Sequence, residues 1–289
     1  MFKRIIQGIA SAVVVVGCLS AASQQAQAGV CSDSKNGVKL AYTAYNTSTS
    51  DKKKYIPSNH TYVTKWTVGS QHAYLTTTTE SSKTVCHYSF RGLKKDVFIR
   101  TLKNLKKMGT KGTCKSQAGG SNGTASRWAC RSYGRIRTKI NADIASRNCD
   151  GGIRLYGHSM GGAIAVLMAT DLWQQNATKY TKSTEFLKVY TYGAPRVFVK
   201  KTANYWQDKI WVARWVYQGL DTFVDHVPSY PSKSTFKHFG QAYRVYKKRF
   251  KKKRRWGTRG QDYAPKSTTL TDHEISVYYN AFKGVKNCK

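Results

Sequence analysis

From Thr84 onward, short apolar runs of strand length alternate with segments in which apolar residues recur at helical spacing. Strands are expected at 85–90, 153–156 and 187–192, and further ones near 210–217 and 241–246. Helices are expected over 95–108, 135–146, 161–174 and 272–282. Strand followed by helix, repeated, predicts an α/β architecture with a mainly parallel central sheet and helices on both faces. Between 29 and about 82 the chain is polar, rich in Thr, Ser and Lys, and weakly patterned. It reads as a decorated edge of the same domain, with a short helix at 38–45 and a strand at 73–78. Residues 112–127, rich in Gly, Ser and Lys, read as a mobile loop.

The first residues follow a different rule. Lys3 and Arg4 precede an apolar stretch over 5–19, and Ala26-Gln27-Ala28 supplies the small-x-small pattern of signal-peptidase cleavage. Residues 1–28 are therefore expected to be a signal peptide and 29–289 a single exported domain, extracellular or periplasmic. Val15-Val16-Gly17-Cys18 offers the alternative of a lipobox that would anchor the chain at Cys18. Beyond the leader remain Cys31, Cys86, Cys114, Cys130, Cys149 and Cys288, an even set without a Cys-x-x-Cys pair. That usage predicts three disulfides rather than a zinc or thioredoxin-type site.

Composition narrows the partners. Of 289 residues, 40% are hydrophobic and 22% charged, which excludes wholesale disorder. Lys and Arg number 49 against 14 Asp and Glu, a net charge of +35. Such a field attracts polyanions: anionic lipid surfaces, acidic polysaccharide or nucleic acid.

The candidate chemistry centres on Gly157-His158-Ser159-Met160-Gly161-Gly162. A G-x-S-x-G pentapeptide is a weak signal alone, and Gly119-Gly120-Ser121-Asn122-Gly123 matches it too. Only Ser159 has the required context, an apolar strand before it and the buried-helix sequence 163–169 after it. Glycines at 157 and 161 would let the strand and helix approach closely enough to push the serine hydroxyl above the sheet. The N-terminus of the following helix would direct the Met160 N–H at an oxyanion. A hydroxyl needs a base and the base needs an acid, in the chain order Ser, Asp/Glu, His. Asp225, in a loop stiffened by Pro228 and Pro231 after the strand near 210–217, suits the acid position; Asp221 is the reserve. The downstream histidines are His226, His238 and His273.

Five ordered motifs then carry a resemblance: Tyr88-Ser89-Phe90-Arg91-Gly92, the 157–162 elbow, Tyr192-Gly193-Ala194-Pro195-Arg196-Val197, Asp225-His226-Val227-Pro228 and Asp272-His273-Glu274-Ile275-Ser276-Val277-Tyr278. Across roughly 84–282 the chain resembles the class 3 (fungal triacylglycerol) lipase family. The resemblance implies the α/β-hydrolase fold, Ser159 as nucleophile, Asp225 as acid, His273 as general base, and oxyanion donors at Leu93 and Met160. His158, His226 and His238 are left with packing or backbone roles. The family usually has a hydroxyl residue where this chain has Leu93, which implies one oxyanion donor fewer. Within 95–108 Phe98, Leu102 and Leu105 would share one helical face and Arg100, Lys103, Lys106 and Lys107 the other, which suits either a surface helix covering the sheet or the lid that the resemblance implies in this region. On this fold Cys86 would pair with Cys149, Cys114 with Cys130, and Cys31 with Cys288, the last as in some fungal relatives. A second basic cluster, 247–256, is either a solvated charge run or, from its place before His273, a loop near the rim of the site.

The expected function is a secreted carboxylic-ester hydrolase of lipase or phospholipase type, acting at anionic lipid interfaces through an acyl-serine intermediate. No metal or organic cofactor is expected, no specific nucleic-acid partner, and a monomeric state. The alternatives are an esterase on soluble or polysaccharide-linked esters such as feruloyl groups, and a weakly catalytic polyanion- or membrane-binding protein on the same scaffold.

Overall fold

Strand side chains alternate between two apolar layers, and this alternation decides where everything else packs. The computed structural model describes residues 29–45, 55–93, 111–113, 123–218, 225–246 and 273–285. The central sheet contains β1 (Thr61–Val68), β2 (Gln71–Glu80), β3 (Lys83–Phe90), β6 (Gly152–His158), β7 (Leu187–Tyr192), β9 (Trp211–Gln218) and β11 (Gln241–Tyr246), in that spatial order. The first two pairings are antiparallel and the remaining four parallel. β4 (Lys111–Thr113), β5 (Thr124–Ser126), β8 (Phe198–Val199) and β10 (Phe236–Lys237) form a small second sheet.

The two layers are chemically different. Ile153, Leu155, Leu187, Val189 and Val212 face one side, against α2 (Arg127–Ser146) and α3 (Met160–Gln175). Tyr156, Tyr190, Tyr192, Trp215 and Tyr217 face the other, against α1 (29–43) and α5 (Ile275–Lys283); α4 (Lys200–Trp206) lies between β8 and β9 in the chain. Every residue of α3 from Met160 to Leu172 is buried, which explains a helix apolar on all sides. The aromatic layer keeps its polar tips satisfied through α1. Tyr190 donates to Asp33 (2.6 Å), Tyr192 to the Ser34 carbonyl (2.7 Å) and Trp215 Nε1 to Ser34 Oγ (2.7 Å). α1 is already helical well before 38, because Asp33 and Ser34 in its polar first half supply acceptors to the aromatic layer.

Other boundaries differ for similar reasons. β1, half-buried at the sheet edge with Tyr62 exposed, lies in the stretch read as undifferentiated edge. α2 starts eight residues before 135, since the small residues Ala129 and Ser132 continue its inward face without an apolar stripe. The expected loop over 112–127 instead contributes β4 and β5 at its ends, while 114–122 lies outside the described residues. The same is true of residues 1–28, the expected helix at 95–108 and the 247–256 cluster. Among the described residues no helix is long and apolar enough to cross a membrane.

Cys86 and Cys149 form a disulfide, joining β3 to the turn before β6. Cys31 and Cys130 are also disulfide-bonded; Cys288 and Cys114, their expected partners, lie outside the described residues. The Cys86–Cys149 link closes a sequence separation of 63. Replacing both cysteines with alanine should lower the unfolding free energy by about 4 kcal/mol through the entropy returned to the unfolded chain. Denaturant unfolding of the double variant beside the oxidised parent measures this.

Candidate active site

Strand β6 ends in a backbone conformation that most residues avoid. Ser159 has φ 56° and ψ −126°, and its N–H bonds to the Tyr192 carbonyl at 2.9 Å. The strain is held by close approach on both sides. A Cβ at Gly157 would stand 2.2 Å from the Gly161 carbonyl, and one at Gly161 only 2.0 Å from the Phe90 carbonyl oxygen. Glycine at both positions lets β6, α3 and β3 converge, and the serine hydroxyl is carried to the C-terminal end of the parallel strands.

His273, beside the N-terminus of α5, reaches that hydroxyl. Its Nε2 lies 2.7 Å from Ser159 Oγ. Nδ1 lies 2.9 and 2.8 Å from the two carboxylate oxygens of Asp225, so the carboxylate selects the Nδ1–H tautomer and leaves Nε2 as acceptor for the serine proton. Ser159, His273 and Asp225 are 3%, 6% and 2% exposed, which removes competing water from the line. Asp225 collects further donors, the Val227 N–H at 2.9 Å and the Tyr278 hydroxyl at 2.5 Å. Tyr278 is held in turn by the Tyr217 N–H at 3.0 Å. Gly193 has φ 61°, and a Cβ there would stand 2.4 Å from Asp225 Oδ2. The Tyr192-Gly193 turn thus leaves room for the acid.

A second hydrogen-bonded line runs behind His273. His158 Nε2 lies 2.7 Å from the His273 carbonyl, which can only accept, so Nε2 carries the proton. Nδ1 then accepts from the Tyr45 hydroxyl at 2.6 Å, and the Tyr45 oxygen receives the Gly92 N–H. The His158 and His273 rings stack with centroids 4.7 Å apart. Burial, reinforced by the neighbouring His273 charge, holds the His158 pKa well below the usual histidine range. Burial also pushes the Tyr45 phenol up, so it stays protonated and donates.

The oxyanion candidates flank the same point. Met160 is the first residue of α3, where a helix leaves N–H groups without internal acceptors. Gly92 presses against the elbow, a Cβ there lying 2.9 Å from Ser159 Cβ, and Leu93 follows with its side chain packed on the main core. Among the described residues no three His, Cys, Asp or Glu side chains gather as a metal site.

The sequence model of the class 3 lipase family matches residues 88–235, just over half of the chain. The chain belongs to that family. As a class 3 lipase it is a serine hydrolase of carboxylic esters. It shares its fold with a lipase II from Rhizopus niveus: 21% identity over 75% of this chain and 81% of that one, TM-score 0.61. Against a lipase from Rhizopus microsporus var. chinensis the identity is 22% over 75% of each chain, TM-score 0.60. Against a Rhizomucor miehei triacylglyceride lipase it is 21% over 74% and 79%, TM-score 0.58. No curated protein matches the chain in sequence.

In this lipase-family chain, then, the structure brings Ser159, Asp225 and His273 together and sets Met160 and the Gly92-Leu93 segment beside them. Asp221 and the second G-x-S-x-G serine, Ser121, lie outside the described residues. Asp171 is committed elsewhere, taking donors from Tyr133, Arg137 and Asn141. His238 bonds the Pro228 carbonyl at 2.8 Å, the backbone role expected of it, and the His226 carbonyl accepts from the Ser229 N–H. Sequence reasoning passed over Tyr45, Tyr278 and the bridging position of His158. Tyr278 and His158 lay inside the ordered motifs without a role of this kind, and Tyr45 lay in none.

Two outcomes follow from this geometry. Tyr278→Phe removes one of the donors that hold Asp225, and kcat on a soluble ester should fall about tenfold with KM nearly unchanged, as steady-state kinetics would show. The second concerns acid. His60 is lowered to about 4, chiefly by burial, and burial likewise lowers His87, His158 and His238 well below their usual value. Below pH about 6.5 the unfolded chain binds protons that the folded chain refuses. Their stabilising contribution is therefore complete above that value and declines on acidification toward pH 4. Denaturant midpoints measured from pH 8 to pH 4 should be flat above 7 and drop progressively below 6.5.

Proposed function

We propose that Ser159, His273 and Asp225 form the catalytic triad of an exported lipase that hydrolyses lipid esters at anionic interfaces. The observation that carries the reading is the unbroken hydrogen-bonded line from Ser159 Oγ through His273 to Asp225, buried along its length. In the acylation half-reaction Ser159 Oγ attacks the ester carbonyl while His273 Nε2 takes its proton. Negative charge develops on the carbonyl oxygen, where the Met160 and Leu93 N–H groups serve as donors. The tetrahedral intermediate collapses as His273 returns the proton to the leaving alcohol, leaving an acyl-serine. Water, deprotonated by the same imidazole, releases the fatty acid and restores the hydroxyl. Asp225 stays ionised throughout, orienting the ring and stabilising the imidazolium.

Lipid esters are the substrate class suggested by family membership and by relatives such as the Rhizomucor miehei triacylglyceride lipase. The net charge of +35 supports an anionic surface over a neutral oil phase, since each Lys or Arg near such a surface contributes about 1 kcal/mol of attraction. Export is supported by the leader pattern and by disulfide usage, as expected for oxidising compartments.

Ser159→Ala should abolish ester turnover, by about 10⁵-fold or more, and Asp225→Asn should reduce kcat by about 10⁴-fold through the wrong imidazole tautomer. Leu93→Ser supplies the hydroxyl that the family usually has there and should raise kcat by up to about 10²-fold. Initial rates on vesicles decide the substrate. The reading expects faster release of fatty acid from anionic phospholipid vesicles than from neutral ones, with the difference shrinking as salt rises. Equal rates on both would remove the anionic preference, and activity confined to soluble feruloyl esters would replace the lipid reading.

A further inference from the structure

Helix α2 carries four cations in one exposed row: Arg127, Arg131, Arg135 and Lys139, each four residues from the next. At 1.5 Å per residue the row rises about 18 Å along the helix, with a positive charge roughly every 6 Å. None of the four makes an ion pair or side-chain hydrogen bond with any described residue, whereas Arg137, two positions from Arg135, is engaged by Asp171. Asp143, at the next step of the same spacing, is taken by Arg147 and Tyr88.

Nothing in the fold accounts for the row. Like charges at i and i+4 destabilise a helix, and Arg127 and Arg131 add positive charge at its positive end, where acidic residues are favoured. Yet the first turn of α2 contains no acidic residue. The inward side of the helix, through Ala129, Tyr133, Ile136, Ile140 and Ile144, already provides its packing. The cations are a cost to the helix that a partner would offset.

We propose that this row binds a linear acidic polysaccharide. The other polyanions fit less well. A helix that docks on lipid inserts apolar side chains among its cations; the fully exposed positions beside this row are Gly134, Thr138 and Ala142, and its one large apolar neighbour, Trp128, is half-buried against the main core. Proteins that hold single-stranded nucleic acid stack bases on freely exposed aromatic side chains, and the one aromatic beside this row, Trp128, is half-buried and packed on the main core. A file of charges stepped evenly along the helix, turning about 40° with each step, matches an extended chain laid obliquely across it and bearing carboxylates or sulfates at regular intervals. Such polymers also belong to the oxidising, extracellular surroundings in which disulfides persist. The row would retain the enzyme on a matrix independently of its ester site.

The test compares the full chain with two charge-matched variants. One is Arg127→Gln, Arg131→Gln, Arg135→Gln and Lys139→Gln together; the other replaces the exposed Lys83, Lys200, Lys201 and Lys233 with Gln. Affinity is measured for polygalacturonate, dextran sulfate, duplex DNA and anionic phosphatidylglycerol vesicles at one fixed ionic strength. The row variant should lose at least tenfold in affinity for the two polysaccharides while the control loses less than threefold. Turnover of a soluble ester should be unchanged in both. Equal losses in the two variants would reduce the effect to net charge and overturn the proposal, as would no loss in the row variant. A larger loss for vesicles or for DNA than for the polysaccharides would assign the row to that partner instead and likewise overturn it. Thermal unfolding of the row variant should match or exceed that of the parent, because repulsion is relieved. Should the fourfold variant fail to fold, Arg131→Gln with Arg135→Gln carries the same comparison, with at least a threefold loss expected.

Discussion

A carboxylate taken out of water must be repaid in hydrogen bonds, and Asp225 organises the site around that requirement. At 2% exposure it accepts from His273, from Tyr278 and from the Val227 N–H. Those donors come from three places in the chain: the residues leading into α5, α5 itself, and the turn that begins at Asp225. Gly193 clears the fourth side. The acid thereby fixes where α5 starts relative to β7 and β9, and with it the reach of His273 toward Ser159. Removing the carboxylate group would leave several buried donors without an acceptor, so the cost would fall on the whole junction as well as on the imidazole.

The second line, from Gly92 through Tyr45 and His158 to the His273 carbonyl, ties His273 to the strand end that holds the oxyanion candidates. Its polarity is forced at one end by a carbonyl that can only accept. A neutral His158 is required by that arrangement, and a charged ring stacked at 4.7 Å from His273 would oppose the imidazolium that the proposed mechanism forms there. Ser159, His273 and the Gly92-Leu93 segment are thus positioned by hydrogen bonds that join the chain just after α1, the end of β3, β6 and the residues leading into α5.

Legibility in the sequence followed burial and locality. Ser159 was readable because its demands are local: two glycines, a strand before and an apolar helix after. β3, β6, β7 and α3 were readable because elements buried on both faces are apolar throughout. Asp225 and His273 could be narrowed by chain order but were singled out only by the ordered motifs, because 48 residues separate partners that meet in space. Tyr45 was illegible, since it comes from a polar segment and acts 113 residues away on His158. β1 was missed because an edge strand with half-buried Thr, Lys and Trp has no clean alternation. The first turns of α2 were missed because Ala129 and Ser132 bury without being strongly apolar.

The central claim is that burial and hydrogen bonding make one alcohol, that of Ser159, a nucleophile. The most direct measurement is covalent labelling with a fluorophosphonate, followed by peptide mapping and by the labelling rate of a His273→Ala variant. A single adduct on Ser159, forming at least 10²-fold more slowly without the imidazole, is the result expected. An adduct on Ser121 or another serine, or labelling of Ser159 at an undiminished rate without His273, would contradict it.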